Sequence, residues 1–111
     1  MTSVQTLGDA ERRLLARWAA GCAERVLPLF AAEAPDDDRV RDAIARTRAY
    51  ARGKSTAAEE IRKRMAAVKA AGSATSAAGA AAARAAAQAS AVAHLGAHAL
   101  GAAAYAAKAV A

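Results

Sequence analysis

The stretch Ser76–Ala93, SAAGAAAARAAAQASAVA, decides the fold. Alanine loses no side-chain rotamer freedom in a helix and is the best helix former, so a run this dense in alanine and free of proline predicts helix. No alternation of β-branched and polar residues offers a strand instead. Such a helix is thin. Its alanines bury little apolar area each, at roughly 25 cal/mol per Å², so neighbouring helices must approach closely to compensate.

Working outward, Ser73 or Ser76 can cap this helix, and the alanine-rich text runs on through Tyr105. A break is expected near Gly96, because an unbroken helix would outrun every other element. Residues 85–107 contain no Asp, Glu, Lys or Arg, and about 20 apolar residues can span a bilayer. Alanine is barely hydrophobic, however, and Gln88, Ser90, His94 and His98 add polar cost. No membrane span is expected.

Towards the N-terminus, Thr6 followed by Asp9 has the spacing of a capping box, and Leu15, Trp18, Cys22, Val26 and Leu29 form one helical stripe, flanked by Leu14 and Phe30. This stripe is the expected core face of the first helix. Pro28 lacks an N–H and should kink or break that helix between Glu24 and Pro28. The run Ala34-Pro35-Asp36-Asp37-Asp38 reads as a turn in which Asp36 or Asp37 caps a second helix. Val40, Ala43, Ile44, Thr47, Tyr50 and Ala51 are its apolar positions, Asp42 and Arg46 pair at i,i+4, and Gly53 is a natural C′ residue. Thr56 and Glu59 form a further capping box. After it, Ile61, Met65 and Val68 are expected in the core, opposite ion pairs from Glu59 to Lys63 and Glu60 to Arg64.

These readings predict an all-α protein, either a four- or five-helix bundle or an irregular array of helical hairpins, in a single alanine-rich domain over residues 1–111. A chain of this size hides about 60 to 70% of its unfolded surface, so its stability should be modest and a homodimer would add to it. One cysteine, Cys22, allows no internal disulfide, and no secretory leader opens the sequence. The expected location is the cytoplasm.

The net charge is +6 and unevenly spread: residues 1–60 hold ten basic and ten acidic side chains, residues 61–111 six basic and none acidic. Arg39, Arg41, Arg46, Arg48 and Arg52, with Arg62, Lys63, Arg64 and Lys69, invite a nucleic-acid reading. They go all round their helices without an aromatic platform, so that reading ranks below protein binding.

No constellation for catalysis is recognisable, which predicts a non-enzyme with no cofactor. His94 and His98 at i,i+4 could give two metal ligands on one helix face, but a zinc site needs a third and usually a fourth, and none has a fixed position. Metal binding is the third-ranked reading. With Tyr105, these histidines are the expected functional surface or polar seam, since a buried polar group left unpaired costs roughly 1 to 3 kcal/mol. Asp36 to Asp38 lack the spaced ligands and glycine of a calcium loop. Cys22 reads as a small core hydrophobe.

Three stretches carry a family resemblance: RLLARWAAGCAERVLPLF (Arg13 to Phe30), APDDDRVRDAIARTRAYARG (Ala34 to Gly53) and AVAHLGAHALGAAAYAAKAV (Ala91 to Val110). Together they resemble the bacterial immunity-protein family associated with polymorphic toxin systems. The resemblance implies a helical domain that neutralises a cognate toxin by binding it, so the implied partner is a protein. Complementary fields speed association, and a chain of +6 does not call for a basic nuclease as that partner.

Overall fold

The computed structural model describes residues 7–63 and 65–111, and the Thr6 cap expected from the sequence lies outside them. Helix α1 spans Asp9–Ala31, α2 Arg39–Ala51, α3 Ala57–Lys63, α4 Met65–Ala70, α5 Ala77–Ala91 and α6 His98–Ala109, with a 3₁₀ turn at Ala71–Ser73. No strand occurs among the described residues. The fold is an all-α bundle.

Helix α5 is its centre. Ser76 caps it by accepting from the Gly79 N–H at 3.0 Å, and Ala81, Ala82, Ala83, Ala85, Ala86 and Ala89 are all buried. A helix whose side chains are mostly methyl groups can be approached from several sides, and α1, α2, α4 and α6 all pack against it. Its chain turns at residues 92–97, with Gly96 buried in the turn, before α6 begins, so the alanine-rich segment is two helices.

Helix α1 begins after Gly8 with Asp9 and Glu11 in its first turn, where negative charge meets the positive end of the helix dipole. It continues through Pro28 to Ala31, against the expected break. Pro28 lies in the last turn, where it forgoes a single backbone hydrogen bond, and the buried Val26 and Phe30 hold that turn against the bundle.

The core face of α1 is Ala16, Ala19, Ala20, Ala23, Val26 and Phe30. Trp18 and Leu29, expected in the core, are exposed, whereas Leu15 and Cys22 are half-buried at its edge. The reason is steric: α1 lies against an alanine helix, so its seam takes small side chains, and the indole is turned outward.

Helix α2 buries Val40, Ala43, Ile44, Thr47 and Tyr50 of the stripe expected of it. Gly53, with φ 77°, ends it: the Lys54 N–H reaches Ala49 O at 2.8 Å and the Gly53 N–H reaches Tyr50 O at 3.0 Å, a Schellman pair of bonds. At the other end Asp38 holds the N-cap position without a side-chain cap bond. Asp37 serves instead, accepting from the Arg39 N–H at 3.1 Å, whereas Asp36 bonds to no described residue.

Thr56 Oγ1 accepts from the Glu59 N–H at 3.2 Å. Beyond it α3 and α4 are turned differently from expectation: Met65 and Val68 are exposed and Ile61 half-buried, while Glu60, Ala67 and Ala70 face inward. Glu60 meets Arg46 at 3.4 Å and accepts from Ser55 Oγ at 2.9 Å. This pairing replaces the expected Asp42–Arg46 pair. Ala67 and Ala70 take the seam, and Met65 and Val68 border a cleft over Ala87 and Ala91 of α5.

Candidate partner-binding face

The side of α1 turned away from α5 carries Leu14, Trp18, Gly21, Arg25 and Leu29, which share one helical face. Leu14 is 70% exposed and Trp18 50%. Burying a large apolar side chain gains about 1.5 to 3 kcal/mol, so leaving the one tryptophan half in solvent forgoes much of that. Around Trp18 the surface forms a shallow depression of about 510 Å³ bordered by Leu14, Arg17, Gly21, Cys22 and Arg25.

Two further depressions adjoin it. Between α1 and α2, a groove of about 360 Å³ is lined by Arg17, Arg48, Ala51 and Arg52. Between α1 and α6, another of about 330 Å³ is lined by Cys22, Arg25, Val26, Ala103, Ala107 and Val110. Arg17 is shared by the first pair, and Cys22 and Arg25 by the second, so the surface is continuous. One flank is cationic and the other apolar.

Among the described residues, ion pairing leaves guanidinium groups open on the cationic flank, as it does at Arg62 and Arg84 elsewhere on the chain. Arg13 is held by Asp9 at 2.6 Å, Arg39 by Asp37 at 2.6 Å, Arg41 by Asp38 at 3.1 Å and Arg46 by Glu60 at 3.4 Å, and Arg48 pairs with Glu24. Arg17, Arg25 and Arg52 have no carboxylate partner among the described residues. The carboxylates of Asp9, Glu24, Asp37, Asp38 and Glu60 are taken by other arginines. Bonds from Ser76 Oγ and from the Thr75 and Ser76 N–H groups hold the Glu33 carboxyl below its ordinary range, and the Arg39 guanidinium does the same for Asp37.

The histidine surface is arranged differently from the sequence expectation. His94 is exposed in the turn before α6 and His98 is the first residue of α6, so no single helix carries both. They do line one cleft of about 170 Å³ with Met65, Val68 and Gln88, where His98 Nδ1 lies 2.7 Å from Gln88 Oε1. Tyr105 lies two turns further along α6 from His98, half-buried against the core. No group of three or more His, Cys, Asp or Glu residues able to hold a metal occurs among the described residues, nor does a helix long and apolar enough to cross a membrane.

Sequence reasoning placed Trp18 inside and did not single out Arg17, Arg25 or Arg52 as a set. The available signal was the outward period Leu14, Trp18, Arg25, Leu29 beside the alanine period Ala16, Ala19, Ala23.

An all-helical chain of this kind, with its indole and free guanidinium groups presented on one side, finds its relatives by sequence. Residues 5–111 match the sequence model of the family described as "Imm-5 like putative immunity protein", and the chain belongs to that family. No curated protein and no solved structure matches it.

Proposed function

We propose that this chain neutralises a cognate bacterial toxin by binding it directly, in the cytoplasm of the cell that makes it, without turning over a substrate. Family membership over residues 5–111 supports the immunity role. One observation supports direct binding: the only tryptophan is half exposed beside the still more exposed Leu14, although Phe30 and Tyr50 are fully accommodated inside. Tryptophan and arginine are enriched among the few residues that dominate protein interfaces, and here Trp18 is flanked by Arg17 and Arg25. The role needs no cofactor.

The test is co-expression with bacterial toxin domains, beginning with any encoded beside this chain's gene. Binding predicts restored growth and a one-to-one complex on size-exclusion chromatography. Restored growth with no complex, and with the toxin chemically altered or lost, would replace binding by turnover.

A further inference from the structure

We infer that the partner's contact surface is acidic on one side of a protruding apolar side chain, and that it seats across α1. The carboxylates pair with Arg17 and Arg52 in the α1–α2 groove, and the apolar side chain enters the α1–α6 groove beside Val110. This inference rests on the reading of the chain as a toxin-binding protein and adds to it the face used and the chemistry of the surface bound.

Charge complementarity selects the occupant. Arg17 and Arg52 line one groove without a carboxylate among the described residues, and the third guanidinium there, Arg48, already has Glu24. Guanidinium groups present a fixed fork of donors that matches carboxylate geometry. An approaching carboxylate therefore finds donors that nothing inside the protein occupies. Glu24, the carboxylate beside this groove, is committed to Arg48.

The apolar half argues for protein over nucleic acid. A single-stranded nucleic acid is held by a basic groove with successive aromatic platforms, and this face has one aromatic residue. Leu14 and Val110, both 70% exposed, with the alanines of α6, would meet nothing on a phosphate backbone. An aliphatic or aromatic side chain of a protein buries against them. The arrangement, an apolar centre with a charged rim, is that of protein interfaces.

The experiment titrates the toxin domain that the co-expression test identifies against the purified full-length chain at low and high salt. Replacing Trp18 by Ala should weaken binding about thirty-fold or more, as expected of a central anchor. Arg17→Glu with Arg52→Glu should weaken it at least about ten-fold and flatten the salt dependence, and Val110→Asp should weaken it by a similar factor. Arg62→Glu with Lys69→Glu, the same charge change on α3 and α4, should stay within about two-fold. Circular dichroism verifies that each variant is folded; the double arginine variant changes only exposed side chains and decides the matter if Trp18→Ala does not fold.

Binding by the parent chain that all the face variants retain overturns the inference and leaves the toxin-binding reading standing. A parent that does not bind the toxin overturns both. Tighter binding of a 20-nucleotide single strand, lost in the double arginine variant, would assign the groove to nucleic acid. A parent dimer that Val110→Asp dissolves would assign the face to a second copy of the chain.

Discussion

The Tyr50 hydroxyl donates to Asp9 Oδ1 across 2.6 Å, tying the last turn of α2 to the first turn of α1. Arg13 completes the tie. Its guanidinium lies 4.4 Å from the centre of the Tyr50 ring, donates to the Tyr50 carbonyl, and binds the other Asp9 oxygen at 2.6 Å. The bonds from Tyr50 and Arg13 hold the Asp9 carboxyl below its ordinary value of 3.8, while burial and the neighbouring Asp9 raise Tyr50 above 10.0.

A pH dependence follows. A carboxyl depressed on folding contributes stability that is present above its unfolded value and lost as pH falls through the folded one. The Asp9 contribution is therefore complete above about pH 4 to 5 and fades below, alongside those of Asp37 and Glu33, which are lowered in the same direction. Tyr50 contributes below its unfolded value and loses that contribution in strong alkali. Asp9→Asn should lower the melting temperature at pH 7 and make little difference at pH 2.5. An equal loss at both pH values would show that the carboxylate charge is not what stabilises this tie.

The core prediction separates two aromatic residues of one helix. Phe30 is 0% exposed and Trp18 50%. Phe30→Ala should destabilise by about 3 to 5 kcal/mol, as buried aromatic truncations do. Trp18→Ala should cost about 1 kcal/mol or less, since surface changes rarely exceed that. Urea unfolding of the two variants compares them directly. A Trp18→Ala loss as large as that of Phe30→Ala would put the indole back in the core.

These two residues also show how far the sequence could be read. The helical class and the inward stripe of α2 were legible because Val40, Ile44 and Tyr50 are large, apolar and at helical spacing, with small residues between them. In α1 the same rule pointed to the wrong face. The bundle is built round an alanine helix, so Ala16, Ala19 and Ala23 are the seam and the bulky Trp18 and Leu29 are displaced outward. On α4, too, the alanines Ala67 and Ala70 are buried and the larger Met65 and Val68 exposed. The candidate site was less legible still. Which arginines remain free depends on which carboxylates tertiary contacts consume, and the half of the sequence balanced in composition supplies the unpaired Arg17, Arg25 and Arg52.

The two histidines should behave unequally. His98 is partly buried with its ring nitrogen 2.7 Å from Gln88 Oε1, joining α5 to α6, whereas His94 is exposed. Gly101 makes the room: a Cβ there would lie 2.5 Å from the same Gln88 oxygen. His98→Ala should lower stability by about 1 kcal/mol, the usual net worth of such a bond, and His94→Ala should leave it within about 0.5 kcal/mol. Thermal melts at pH 7.5 test this. Equal effects would mean that the Gln88 bond is not what distinguishes the two positions.

The last prediction concerns the one strongly buried carboxylate. Glu60 is 2% exposed, with Arg46 at 3.4 Å and Ser55 Oγ at 2.9 Å as its partners, and the Arg46 Nε is itself buried without a partner among the described residues. Removing one member of a buried pair strands the other in low dielectric, which typically costs 3 to 5 kcal/mol. The Glu60–Arg46 contact is long and the arginine is partly solvated, so Glu60→Gln should cost less, about 2 kcal/mol. Replacing both residues removes the stranded charge as well as the attraction, and apolar replacements of such pairs are often neutral or stabilising. Arg46→Leu with Glu60→Leu should therefore unfold at a higher urea concentration than Glu60→Gln alone. If the double variant is the weaker of the two, the pair contributes net attraction beyond satisfying its own burial, and Arg46 holds α3 against α2 by charge rather than by shape.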